Sequence, residues 1–169
     1  CIVYASGFEV GTEYARRSGY ETVGRDGVTL SDYWAEGMRS LHGMHVHGFP
    51  NLFILGITQA ANLVSNVTHN YSEVGLTLAR LLSHALEAGA TEVEVSAEAE
   101  QAWLDRLGSN PRGYLGNPEC TPGYYNNEGK PLTDQQRVSL SGFPEGPYAY
   151  FRYLDEWRNS GEFAGLDLR

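Results

Sequence analysis

The chain has 169 residues, 41% of them hydrophobic, which is enough for one domain with a real core. A net charge of −9 with no basic run excludes a nucleic-acid backbone or an anionic membrane surface as partner. Two cysteines, Cys1 and Cys120, exclude a disulfide framework and fit a reducing, cytoplasmic setting, and the apolar runs are too short to span a bilayer.

Ile2-Val-Tyr-Ala5 is a continuous β-branched and aromatic run closed by Ser6-Gly7, the pattern of a buried strand in a parallel sheet. Such a strand needs neighbours joined by crossovers of about a dozen residues or more. Residue 1 is therefore expected not to be the natural start, with part of the sheet missing. Phe8 to Thr12 reads as a turn, and Tyr14-Ala-Arg-Arg17 as a short helical turn ended by Ser18-Gly19. Asp26-Gly27 is a tight-turn signal, Val28 to Leu30 a small strand, and Ser31 to Trp34 a capped helical turn. His42, His45 and His47 form a His-x-x-His-x-His pattern that invites a metal reading. No carboxylate or cysteine follows at ligand spacing, and solvated imidazoles in a glycine-flanked loop are the rival, so no metal is assigned.

The stretch from Gly48 to Thr68 organises the chain. A Gly-Phe-Pro turn leads into the apolar run Leu52 to Leu55, bounded by Gly56, which predicts a buried strand. Thr58, Gln59, Asn62, Ser65, Asn66 and Thr68 then interleave with Ala60, Ala61, Leu63, Val64 and Val67. A buried strand that opens into a polar, small-residue loop ahead of a helix is where α/β folds place ligands. The alternative is a loop that satisfies its own backbone through Asn and Thr side chains.

Residues 70–89 give the clearest helix, with Val74, Leu78, Leu81, Leu82 and Ala85 on one stripe and Gly89 as the left-handed stop. Thr91 to Ser96 alternates, with Val93 and Val95 inward, and predicts a half-exposed strand. Ser96 caps a helix running to Leu107, with Trp103 in or beside the core. Glu92, Glu94, Glu98 and Glu100 read as solvated faces. Residues 109–146 carry little periodicity, and a segment of this length rich in Gly, Pro, Asn and Tyr reads as a functional lid. Pro147 to Ser160 is a helix with Tyr150, Phe151, Leu154 and Trp157 on its apolar side, ended by Gly161. There is no P-loop, no Gly-x-Gly-x-x-Gly, no Gly-x-Ser-x-Gly elbow and no evident nucleophile or general base.

Several segments resemble one family in their order and spacing. Val3-Tyr-Ala-Ser-Gly-Phe8 is similar to the Ala-Thr-Gly segment of flavoprotein monooxygenases. Gly24-Arg-Asp-Gly-Val-Thr-Leu30 with Trp34, Gly48-Phe-Pro-Asn-Leu-Phe53 and Ser65-Asn66 resemble the C-terminal half of Baeyer–Villiger monooxygenases. Cys120-Thr-Pro-Gly-Tyr-Tyr-Asn-Asn-Glu-Gly129 and the span from Gly146 to Arg158 match one branch. The resemblance covers essentially the whole chain.

It implies an α/β chain that is part of a flavoprotein fold with two dinucleotide-binding domains. The sheet would be incomplete, with helices and a long C-terminal lid segment. Residues 1–108 would belong to the FAD-binding domain, 109–146 to the lid, and 147–169 to a helix packed on the domain. FAD and NADPH would be the cofactors, and a ketone or aldehyde with molecular oxygen the substrates, giving an ester or lactone. Carried over by position, Ser6, Gly7, Ser65, Asn66, Val67, Tyr124, Tyr125 and Asn126 would meet the cofactors. Gln59, Ala61, Asn62, Leu63 and Val64 would line the ketone pocket. Ser6 stands where Thr is commoner, tyrosines occupy the lid region in place of a frequent tryptophan, and Ala60-Ala61 replaces a Ser-Pro pair. The family's glycine-rich loops, its Phe-x-Gly-x-x-x-His-x-x-x-Trp fingerprint and its active-site arginine are not in this sequence. The missing N-terminal part of the same enzyme is thus an expected partner, and the isolated chain is expected to be inactive. A nitrogen- or sulfur-oxidising flavin monooxygenase and a non-enzymatic interaction module are the alternatives.

Overall fold

The computed structural model describes residues 1–3, 14–56, 59, 66–110, 121, 122 and 129–169. Within them the chain is a mixed α/β structure: helices packed around a buried aromatic centre, with one small open sheet.

The first described helix, α1 (Tyr14–Ser18), stops at Gly19, where the sequence places its end; the φ of +77° there is left-handed. Asp26 and Gly27 both take positive φ in a 3-10 turn over Arg25–Gly27, and Gly24 N–H donates to Val28 O at 2.8 Å. The small strand expected at Val28 is reduced to a single bridge between Val23 and Thr29. Thr29, not Ser31, caps α2 (Leu30–Tyr33) by accepting from Asp32 N–H. The hairpin lies on the Gly48-Phe49 turn. Arg25 N–H donates to Gly48 O at 2.8 Å, and a Cβ on Gly24 would come within 2.8 Å of the Phe49 ring.

The long helix α3 (Val67–Glu87) starts earlier than its apolar stripe because Asn66 caps it, accepting from Thr68 and His69 N–H. Val74, Leu78, Leu81 and Ala85 are buried as predicted, but Leu82 is 41% exposed, one step off the stripe's centre. Ser96 caps α4 (Ala97–Gly108) through Ala99 N–H, and Trp103 is buried. The sequence reading left residues 109–146 without structure, yet α5 (Asp134–Ser139) forms there. Its driver is a capping box: Thr133 Oγ1 accepts from Gln136 N–H, and Gln136 Oε1 accepts from Thr133 N–H. Helix α6 (Pro147–Ser160) has the predicted bounds, with Pro147 opening it and Gly161 at φ +72° closing it.

Two strands, β1 (Val93–Val95) and β2 (Leu166–Leu168), pair antiparallel with Val93 opposite Leu168 and Val95 opposite Leu166. The second is not visible in the sequence pattern, being three residues at the chain end. Two expected strands are not seen among the described residues; Tyr4 and Ala5 of the first lie outside them. Ile2 and Val3 are 79% and 80% exposed. Leu52 to Leu55 has no ladder among the described residues: Leu52 N–H turns back to Phe49 O at 3.2 Å, Ile54 N–H reaches Met44 O at 2.9 Å, and Leu55 is exposed. An apolar run becomes a strand only when a neighbouring backbone meets its polar groups.

Asn51 instead meets the edge of β1. Its N–H donates to Val93 O at 2.9 Å, its side-chain Oδ1 accepts from Val93 N–H at 2.9 Å, and its Nδ2 donates to Thr91 O at 3.1 Å. Its own φ is +58°, a region Asn tolerates better than most side chains. Asn51→Ala should therefore cost about 2 kcal/mol, combining lost hydrogen bonds with left-handed strain. Asn51→Gly, which relieves the strain, should cost about half as much; urea denaturation of both variants checks the order.

The largest core group joins Leu41 and Met44 to Val74 and Leu78 of α3, Trp103 and Leu107 of α4, and Tyr150 and Leu154 of α6. A second gathers Leu81, Ala85, Val93, Trp157 and Phe163; a third holds Leu30, Val46 and Phe49 under the hairpin. Burying each large side chain stabilises by roughly 1.5–3 kcal/mol. Among the described residues no helix is long and apolar enough to cross a membrane.

Candidate functional site

Three of the thirteen residues singled out for cofactor or substrate lie in the described structure: Gln59, Asn66 and Val67. Ser6, Gly7, Ala61, Asn62, Leu63, Val64, Ser65, Tyr124, Tyr125 and Asn126 lie outside it.

Asn66 and Val67 form the N-terminal end of α3. The Asn66 side chain is committed to its own helix, 2.9 Å from Thr68 N and 3.2 Å from His69 N. The first turn carries no acidic residue, and Val67 is 41% exposed. The positive end of this 21-residue helix therefore carries no carboxylate in its own first turn. Asn66→Ala should cost about 1 kcal/mol. Hydrogen exchange should show the loss as fraying confined to residues 66–70.

Gln59 is 3% exposed. Both ends of its amide are used: Oε1 accepts from Ser40 Oγ, and Nε2 donates to Met38 O at 2.7 Å. The segment that holds it is itself held. Trp34 Nε1–H donates to Arg39 O at 2.9 Å, and Arg39 reaches Glu100 Oε2 at 3.3 Å and Gln101 Oε1 at 2.7 Å.

Glu100 corrects the sequence reading. It is 1% exposed rather than solvated, and it accepts from Tyr33 OH at 2.6 Å and from His47 N–H at 3.0 Å. Burial, and then this carboxylate, push the Tyr33 hydroxyl up to about 12. Glu94, likewise expected on a solvated face, is buried. Three hydrogen bonds from Arg25 at 2.9–3.1 Å hold its carboxyl below the usual range. The inward side of a three-residue strand is decided by what covers it, here Arg25 and Asn51, and alternation alone cannot show that.

The three histidines go to separate tasks. His47 Nδ1 lies 2.9 Å from Val95 O, so that nitrogen carries the proton and the ring closes the same edge of β1 that Asn51 meets. His42 sits at φ +56° in a cage of Trp103, Trp157 and Tyr153, with ring centroids 4.7, 4.7 and 5.2 Å away and Nε2 3.0 Å from the Tyr153 hydroxyl. His45 packs on Phe53 and Trp157. Burial drives His42 well below its ordinary range and His45 down to about 3, so both are neutral. Among the described residues no group of three or more His, Cys, Asp or Glu side chains could hold a metal ion.

A wide cleft of about 520 Å³ opens between Arg25, His47, Glu94, Ser96, Asp167 and Arg169. Its arginines are already spent on Glu92 and Glu94. None of the three described site residues, Gln59, Asn66 and Val67, lines it. Gln59 and the start of α3 are the two described parts of the candidate site.

No protein-family model matches the chain. Individual proteins do. It is 40% identical over 174 residues to pentalenolactone D synthase of Streptomyces exfoliatus, matching 100% of this chain and 29% of that one. It is 37% identical over 169 residues to Baeyer–Villiger monooxygenase 4 of Dietzia sp. (strain D5), matching 98% of this chain and 27% of that one. The chain is homologous to the Baeyer–Villiger monooxygenases. It spans little more than a quarter of the length of the relatives it matches. The fold agrees. Polycyclic ketone monooxygenase from Thermothelomyces thermophila superposes with a TM-score of 0.74 and 29% identity, over 94% of this chain and 26% of that one. A structure described as OTEMO in complex with FAD and NADP superposes at 0.69 with 20% identity, over 91% and 27%, and shows the fold alone. Its mixed helix-and-strand structure with one small open sheet is part of the fold those monooxygenases share.

Arg39, Ser40 and Glu100, which hold Gln59 and its neighbouring segment, are residues that sequence reasoning did not single out. The only signal available was negative: Arg39 stands between Met38 and Ser40 in a segment with no helical or strand period.

Proposed function

We propose that this chain supplies the C-terminal part of an FAD- and NADPH-dependent monooxygenase. The enzyme inserts oxygen next to the carbonyl of a ketone or aldehyde and releases an ester or lactone. The observation that carries this reading is identity of 37–40% along essentially the entire chain to relatives that include a named Baeyer–Villiger monooxygenase. The division is proposed as 1–108 in the FAD-binding domain, 109–146 as lid and 147–169 as a helix packed on the domain.

The residues present fit the flavin at one end. The first turn of α3 lacks a carboxylate and leaves Val67 exposed, so Ser65, Asn66 and Val67 would face the electron-rich edge of the ring. Ser6 and Gly7 would sit between the cofactors, and Tyr124, Tyr125 and Asn126 over the nicotinamide. Gln59, Ala61, Asn62, Leu63 and Val64 would line the ketone pocket. When bound, FAD supplies the oxygen chemistry and NADPH the hydride. The chain's own part is to orient the ketone and keep water from it. The sequence holds no Gly-x-Gly-x-x-Gly loop to grip a pyrophosphate, so the isolated chain is proposed to be inactive and to need the N-terminal part of the enzyme.

The test replaces the corresponding segment of a Baeyer–Villiger monooxygenase with this chain. A chimera holding one flavin per chain should form an ester or lactone carrying one atom from labelled oxygen gas, while the isolated chain with FAD and NADPH forms none. A flavin-loaded chimera that oxidises amines or sulfides but no ketone or aldehyde would refute the reading.

A further inference from the structure

Gln59 is held through a relay that begins on a distant helix. Glu100 of α4 is buried, and with Tyr33 OH, His47 N–H and Arg39 Nε on its two oxygens it has no freedom to turn. Arg39 adds a second bond, to Gln101 Oε1 at 2.7 Å, so its guanidinium is fixed to α4 at two points. Its carbonyl is fixed by Trp34 Nε1–H. The residues on either side of Arg39 hold both ends of the Gln59 amide: Met38 through its carbonyl, Ser40 through its hydroxyl. The same segment is backed by α5. A Cβ on Gly37 would come within 3.1 Å of Gln136 N, and Thr133 Oγ1 donates to Glu36 O at 3.3 Å. An amide with one donor contact and one acceptor contact can point only one way. Where it points is therefore set by Met38 and Ser40, and their position by Arg39 on Glu100.

We propose that Arg39, clamped by Glu100, is the positioning residue for Gln59, and that through Met38 and Ser40 it sets the fit of the ketone without touching it. The inference rests on the reading that Gln59 lines a ketone pocket. Its physical half is independent of that reading and is tested first, on this chain, by exchange of the Gln59 side-chain amide protons with water. Arg39→Ala should speed that exchange at least tenfold, while the Trp157 indole N–H, which donates to Ala164 O, changes less than twofold. Arg39→Gln, a milder change at a side chain 29% exposed, should give the same local pattern at smaller size. Unchanged exchange at Gln59, or an equal rise at Gln59 and Trp157, overturns the proposal. The functional half is read in the flavin-loaded chimera. Arg39→Ala should raise KM for the ketone at least fivefold and leave KM for NADPH within twofold. A fall in kcat with both KM values unmoved overturns the positioning role. A chimera that converts no ketone at all condemns the functional reading, while the exchange result still decides the relay.

Discussion

Lowering the pH from 6.5 to 5 should remove about 3 kcal/mol of folding stability through two buried imidazoles. His42 and His45 are 1% and 3% exposed, and burial holds both below the ordinary value of 6.5, His45 at about 3. His42 is depressed further by His45 and Arg106. The native state thus binds fewer protons than the unfolded chain. The stabilisation is complete above the unfolded value and is lost as pH falls below it, continuing toward the folded values. Each group contributes a slope of about 1.4 kcal/mol per pH unit, against a total of about 5–15 kcal/mol for a domain. Glu94, held low by Arg25, adds to the loss in the carboxylate range. Urea midpoints followed by tryptophan fluorescence at pH values between 7.5 and 5 should fall steeply below 6.5. His45→Phe should halve the slope. That ring already lies against Phe53 and Trp157, and its Nε2 has no hydrogen-bond partner, so a phenyl ring suits the site. A flat profile would mean that these imidazoles reach water in the native state.

The pattern that made α3, α4 and α6 legible was local. An apolar stripe of period 3.6, an oxygen-bearing cap and a left-handed glycine all act within one or two turns, so sequence alone carries them. Gly89 and Gly161 stop their helices where the sequence placed the stops. Strands were harder. Leu52 to Leu55 has the composition of a buried strand, but composition does not supply a partner backbone, and the neighbour that Asn51 finds is β1. The site was legible only as a list of positions. Asn66 was named for the flavin on resemblance, and its visible contacts are those of a helix cap. Gln59 was named for the ketone; what holds it comes from 19–21 positions upstream and, behind that, from Glu100, 61 positions from Arg39. Glu100 was misread because alternating glutamates between residues 92 and 100 look solvated by any local measure. Only the arrival of Tyr33, Arg39 and His47 from another part of the chain turns one of them into a buried anchor.

Arg158→Ala should destabilise the chain by about 3 kcal/mol, toward the lower end of the cost of breaking a buried ion pair from one side. The guanidinium is 7% exposed between α3 and α6. It donates to Glu73 Oε2 at 2.6 Å, to Thr77 Oγ1 at 3.3 Å and to Asp155 Oδ1 at 2.7 Å. Asp155 is more than half exposed and rehydrates without much cost; Glu73, at 17%, does not. Thr77 keeps its bond to Glu73 O at 2.7 Å, so the penalty falls mainly on the Glu73 carboxylate left without its cation. Replacing both partners, Arg158→Met with Glu73→Leu, should bring the urea midpoint back to within about 1 kcal/mol of the wild type, because no buried charge remains. If the double variant is as weak as the single one, the loss does not come from a buried carboxylate left without its cation. Glu73 lies in the second turn of α3, and this pair is where α6 grips the end of that helix that carries Asn66 and Val67. Hydrogen exchange at residues 66–74 should therefore rise in Arg158→Ala more than at residues 80–87, which Trp157 and Phe163 hold from the far end.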